Sequence, residues 1–308
     1  MNSTIVYLIA YAGAIACIAI IALKVINYLK KPVHIRWELY PVAHEAEKAA
    51  HGGSYYEDVD WWTHKQHPSF IAGMKGLLTE LLFMHMTLET NTKLWYRTYP
   101  FHFGLYMLIG SIFFTLIAAF AQIFGIVPGI ILTAIGNIVQ VLSVVGFLGV
   151  IIGGLALLHR RLTQEDLRRY SSREHYLNLI LFIIYAALGL LTWLANPSFF
   201  ALSRDFMASM LTFSFAPINN VLFSVFVAFG FVMAAYTPAT HMGHFFMKYF
   251  LWHDIRWGDQ PTRDNPNTQK KIGEVLGYPV SWKAPHIQGD GKKTWAEVAT
   301  TNPTTPKE

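Results

Sequence analysis

Residues 217–246 read PINNVLFSVFVAFGFVMAAYTPATHMGHFF, and this stretch decides how the chain folds. From 217 to 240 it holds no charged side chain. A helix needs about 20 such residues to cross the hydrocarbon core of a bilayer. The run ends in His241 and, one helical turn on and expected on the same face, His244. Ionisable groups at the end of a membrane helix are costly, so they are read as functional. Four more runs have the same character, over residues 5–29, 101–126, 129–158 and 175–196. The expected fold is therefore all-α: an integral membrane bundle of five transmembrane helices, with a cytoplasmic amphipathic segment and an extended C-terminal tail.

Composition agrees. The chain has 308 residues, 53% of them hydrophobic and 14% charged, and its mean hydropathy is +0.34. The one cysteine, Cys17, lies inside the first apolar run and excludes a disulfide framework, a thiolate zinc site or an iron–sulfur cluster held by this chain alone. The first run is too long, and lacks the basic leader, for a cleaved signal peptide. Of 24 Lys and Arg, only Arg204 falls in a connection on the side opposite the others. By the positive-inside rule the N-terminus is outside and the C-terminus cytoplasmic, as in a multi-pass protein of the inner membrane. The isoelectric point near 9.1 is then a matter of topology and needs no nucleic acid.

The chain divides into a first helix (1–32), a cytoplasmic loop with an amphipathic helix (33–99), a four-helix membrane domain (100–250) and a cytoplasmic tail (251–308). Residues 33–70 carry His34, His44, His51, His64 and His67 without metal-ligand spacing and read as a docking segment. Residues 71–89 have helical period, with Leu77, Leu78, Leu81, Leu82 and His85 on one stripe, as in a helix lying at the interface. The aromatic connection 197–216 is expected on the membrane surface. The tail is rich in Pro, Gly, Lys and Thr and is expected to order only against a partner.

The second span opens on Pro100-Phe101-His102-Phe103-Gly104. With the topology above, His102 and His241 lie at one depth, and two facing imidazoles can serve as axial ligands of a haem. The spacing fits equally a hydrogen-bonded pair between helices. His244 is the alternative partner, and His85 is a further candidate as ligand or quinone contact. His159 and His175 read as interface residues beside charged neighbours.

Residues 152–162 (IGGLALLHRRL), Ala187-Leu188-Gly189-Leu190-Leu191-Thr192 and Phe101-His102-Phe103-Gly104 resemble the gamma subunit of respiratory nitrate reductase. Arg36-Trp37-Glu38-Leu39-Tyr40-Pro41, Gly52-Gly53-Ser54-Tyr55, Thr240-His241-Met242 and Lys248-Tyr249-Phe250 are similar to the cytochrome b subunits of Dsr- and Tmc-type transmembrane redox complexes. The resemblance implies haem b, a membrane quinone such as menaquinone, and a cytoplasmic iron–sulfur partner of the heterodisulfide reductase type, in anaerobic respiration. It also implies a second haem, but its ligand positions fall at Ile112 and near Phe223, which cannot bind iron. One haem on His102 and His241 is expected, with a second left open through His85. Quinone would then react on the inner side, with His85, Arg97 and Arg160 as contacts. The alternatives are a haem-free membrane anchor for a cytoplasmic enzyme and a small-solute transporter.

Overall fold

Each long apolar run becomes a helix. In the computed structural model, residues 2–31, 41–65, 67–126, 129–251, 266–284 and 287–301 are described. The helices are α1 (Ser3–Lys30), α2 (Phe70–Phe83), α3 (His85–Thr90), α4 (Thr92–Ile123), α5 (Ile130–Thr163), α6 (Arg173–Ala195), α7 (Phe199–Leu211), α8 (Val221–Ala239), α9 (His244–Leu251), α10 (Pro266–Leu276) and α11 (Trp295–Thr300). Five of them, α1, α4, α5, α6 and α8, are long and apolar enough to cross a membrane. Among the described residues no strand forms beyond two isolated bridges. His34, the Arg36–Tyr40 part of the quoted motif and residues 252–265 of the tail lie outside the described residues.

The surface of these helices shows their solvent. Ile109, Ile112, Phe113, Ile131, Ile152 and Leu194 are all more than half exposed. A helix that is apolar outward as well as inward suits lipid rather than water. The chain is thus a multi-pass membrane protein. It forms two compact units, residues 1–21 with 79–244 and residues 22–78 with 245–308.

In the first unit, α4 and α5 pack most closely, through glycine. A β-carbon built on Gly104 would stand 2.6 Å from the Val150 backbone nitrogen, and one on Gly149 would stand 2.9 Å from the Gly104 α-carbon. Without a hydrophobic drive in lipid, such close approach is what holds helices together, by dispersion. Hydroxyls inside the bundle bond to the preceding turn, as Thr192 to Leu188 O (2.7 Å) and Thr237 to Met233 O (2.7 Å). Backbone polarity is thereby satisfied internally, as a bilayer demands.

The connection expected on the membrane surface instead contributes α7, whose Phe199 and Phe206 enter the core. Its aromatic residues find more burial there than at the interface. Helix α1 is tied to this end. Tyr7 stacks on Phe206 (5.0 Å) and Tyr11 on Phe213 (5.2 Å), and the Tyr11 hydroxyl donates to Met210 O at 2.6 Å. Phe213 and Phe215 hold positive φ of 54° and 51° to reach these rings.

The expected helix over 71–89 is broken. Met84 adopts φ 52°, ending α2 and starting α3. Trp95 Nε1 donates to Phe83 O (2.8 Å) and Tyr106 Oη to Leu81 O (2.5 Å), which supplies the orphan carbonyls of α2 with donors. The second span also begins earlier than its apolar run. Asn91 caps it by accepting from Leu94 N at 3.0 Å, so α4 runs nine residues ahead of Phe101.

In the second unit, Val42 and Tyr55 are buried, Glu45 accepts from Tyr55 N (3.3 Å), and Tyr56 packs on Trp61 at 4.4 Å. The tail is not structureless over 266–301. Val280, buried, pairs with Lys293 O (2.8 Å) and accepts from Gly291 N (3.0 Å). Thr294 and Glu297 then form a capping box on α11. One apolar anchor and a capped turn give local order within residues 266–284 and 287–301.

Candidate functional site

Pro238 removes one backbone donor near the end of α8, and Thr240 turns extended, with ψ −175°. The chain then makes a 3₁₀ turn over His241–Gly243 before α9 starts at His244. Thr240 Oγ1 caps that turn by accepting from Met242 N at 3.2 Å. The consequence corrects the expectation of a shared helical face: the break turns His241 and His244 toward different helices.

His244 meets His102 of α4, with ring centres 6.2 Å apart and planes at 62°. His241 meets α6. Its ring lies 4.7 Å from that of His175, and its Nδ1 lies 3.1 Å from Glu174 Oε1 and 3.2 Å from Asn178 Nδ2. Asn178 is almost fully buried and accepts from the Tyr236 hydroxyl at 2.5 Å. It is a polar hinge between α6 and the end of α8.

The partners of each ring fix which nitrogen is available. A backbone carbonyl can only accept, so a ring nitrogen facing one must carry the proton. His102 Nδ1 donates to Thr98 O at 2.9 Å, and His244 Nδ1 faces His241 O at 3.3 Å. Both rings therefore carry the proton on Nδ1, the tautomer seen in histidines that bind metal through Nε2. His175 is the reverse. Its Nδ1 accepts from Ser172 N at 3.0 Å in a capping box, which puts the proton on Nε2. His85 engages its Nε2 with Glu89 Oε1 at 3.1 Å, one turn along the exposed α3. His159 is exposed at the end of α5.

Two basic side chains stand on these helices. Arg97 lies five residues before His102 on α4, and Arg160 on α5 lies close enough to Arg97 and Arg161 to feel their charge. Among the described residues neither Arg97 nor Arg160 has a carboxylate partner. Like charges held together in this way await an anion.

With a metal–nitrogen bond of about 2 Å, as imidazole makes to first-row metals, two trans rings stand about 6 Å apart, centre to centre. The 6.2 Å between His102 and His244 agrees with that spacing. Among the described residues, no three His, Cys, Asp or Glu side chains gather as a metal site. No family model, no curated protein and no solved structure matches this chain.

His102 was legible in the sequence from its place at the head of an apolar run. Glu174, Asn178 and Tyr236 were not singled out there. The signal was present, since Asn178 is an amide inside an apolar run.

Proposed function

We propose that this chain is a membrane cytochrome b, which carries electrons between the quinone pool and an iron–sulfur protein docked on the cytoplasmic side. One observation carries this: two imidazoles from separate helices, each with Nδ1 on a backbone carbonyl, stand with ring centres 6.2 Å apart. This favours His102 with His244 as axial ligands over His102 with His241. His241 is then held by Glu174 and Asn178 of α6, fixing the turn that presents His244. Arg97 and Arg160 would take the haem propionates. Haem b, when bound, supplies one-electron carriage between two-electron quinone chemistry and a one-electron partner. The tight glycine contacts of α4 with α5 fix His102, and Thr98 sets its tautomer.

The resemblance to nitrate reductase gamma subunits and to Dsr- and Tmc-type cytochromes supports the same function, the partner of heterodisulfide reductase type, and an inner-membrane location with the N-terminus outside. The test is a reduced-minus-oxidised spectrum with haem counted per chain. His102→Ala and His244→Ala should each abolish the b-type absorbance, while His241→Ala should keep it. A protein without b-type absorbance would refute the cytochrome and leave a membrane anchor. Loss in His241→Ala with retention in His244→Ala would restore the other ligand pair.

A further inference from the structure

A cavity of about 440 Å³ lies inside the membrane bundle, within the size range of small-molecule sites, about 300–1,000 Å³. Its level is given by Ser111, nine residues beyond His102 and so about 14 Å along α4. Its walls are mostly apolar and aromatic, with Phe147, Phe199, Phe206, Phe223 and Phe226 among them. No Lys, Arg, His, Asp or Glu lines it. Ile18 of α1 and Ile112 of α4 belong both to the lining and to the exposed surface, at 69% and 53% exposure. The mouth therefore opens between α1 and α4 to the acyl chains of the bilayer.

Three proton donors on this apolar space lack acceptors among the described residues. Tyr185 and Thr115 line the cavity, and neither hydroxyl makes a hydrogen bond among the described residues. Ser111 and Ser143 bond to each other at 2.7 Å and are almost fully buried. Two hydroxyls have two protons, and their mutual bond uses one. The other has no acceptor among the described residues. An unsatisfied donor kept from water costs about 1–3 kcal/mol. Three of them on one cavity point to a ligand that brings acceptors.

We propose that this cavity binds the ring of a lipid-soluble quinone, with one carbonyl oxygen accepting from Tyr185 and the other from the Ser111–Ser143 pair. The ligand chemistry follows from the lining. Neutral hydroxyl donors match carbonyl acceptors, aromatic walls match a flat ring, and the mouth lets an isoprenoid chain trail into lipid. An acyl chain brings no acceptor. A phosphate head group would need cations. A haem would need partners for two carboxylates, and no Lys, Arg or His lines the cavity. The proposal takes the quinone from the functional assignment above, places it in this cavity rather than against the inner-side contacts His85, Arg97 and Arg160, and does not depend on the haem.

The test is equilibrium binding of menaquinone-2 to the full chain in detergent, with the two-isoprene alcohol geraniol as the chain-only competitor and haem counted in every sample. One menaquinone per chain is expected. Tyr185→Phe keeps the ring and removes one donor, so affinity should fall about five- to tenfold, as for one hydrogen bond. Ser111→Ala with Ser143→Ala should do the same. Gly230→Leu should abolish binding, because a β-carbon there already stands 3.2 Å from the Tyr185 ring. Absence of menaquinone binding, undiminished binding in both donor variants, equal competition by geraniol, or a second haem per chain would each overturn the proposal. A sample with no b-type absorbance that still binds menaquinone through Tyr185 would refute the cytochrome and leave this site standing.

Discussion

Gly153→Ala should loosen the α4–α5 crossing beside the histidine site. A β-carbon at Gly153 would lie 2.7 Å from both the α- and β-carbons of Phe101, where ordinary contact begins at 3.4 Å. The obstacle is backbone, so no rotamer change can relieve it. The Phe101 backbone nitrogen is nearer still, so the two helices must part by more than about 0.7 Å at this level, and close-packed interiors do not absorb such a shift freely. Overpacking of this kind costs roughly 1–3 kcal/mol, against a gain of at most about 1 kcal/mol in helix propensity. The midpoint of thermal unfolding in detergent should fall by several degrees, at about 2–4 °C per kcal/mol. Because Phe101 precedes His102, the shift should also perturb the spacing of His102 and His244. Gly110→Ala on α4, across the same helix pair, is the control, since its β-carbon would meet only Leu142 Cδ1 at 3.4 Å. It should leave the midpoint unchanged or slightly raised. Equal midpoints for Gly153→Ala and Gly110→Ala would refute the close crossing and the placement of His102 that follows from it.

Asn178→Leu should destabilise the protein by roughly 1 kcal/mol, because it strands the partly buried Tyr236 hydroxyl and frees His241; thermal unfolding in detergent, with Tyr236→Phe added to restore balance, checks it. The capping carboxylate of Glu297 is held below its ordinary value of 4.5 by the backbone N–H and hydroxyl of Thr294. A lowered folded value means that the stabilisation is complete above pH 4.5 and is lost as pH falls through the lowered value. Amide exchange over 294–301, corrected for intrinsic rates, should show protection declining on acidification in the native chain and already low in Glu297→Gln. Cysteine placed at Arg204 in a Cys17→Ala background should react with an impermeant maleimide from outside intact cells, and cysteine placed at Arg173 should not. The reverse pattern would invert the topology.

The apolar runs were sufficient to place all five membrane helices, because crossing lipid requires both length and apolar character, and both are written residue by residue. They located His102 for the same reason. Element ends were less legible: α4 extends back to Thr92 because Asn91 caps it, and capping acts over three residues without an apolar signal. The fate of residues 197–216 was not legible either. Aromatic rings suit an interface and a core equally, and only the partners Tyr7 and Tyr11 on a distant helix draw Phe206 and Phe213 into place. The same holds at the histidine site. Sequence spacing puts His241 and His244 one helical turn apart, but Pro238 and Thr240 end the helix first and send the two rings to different neighbours. The cavity beside Tyr185 has no sequence signature at all, since it is space left between six helices. What the chain determined by itself was which segments leave water. Which side chains meet, and which hydrogen-bond donors remain without acceptors, was decided by packing, because that depends on residues as much as 215 positions apart.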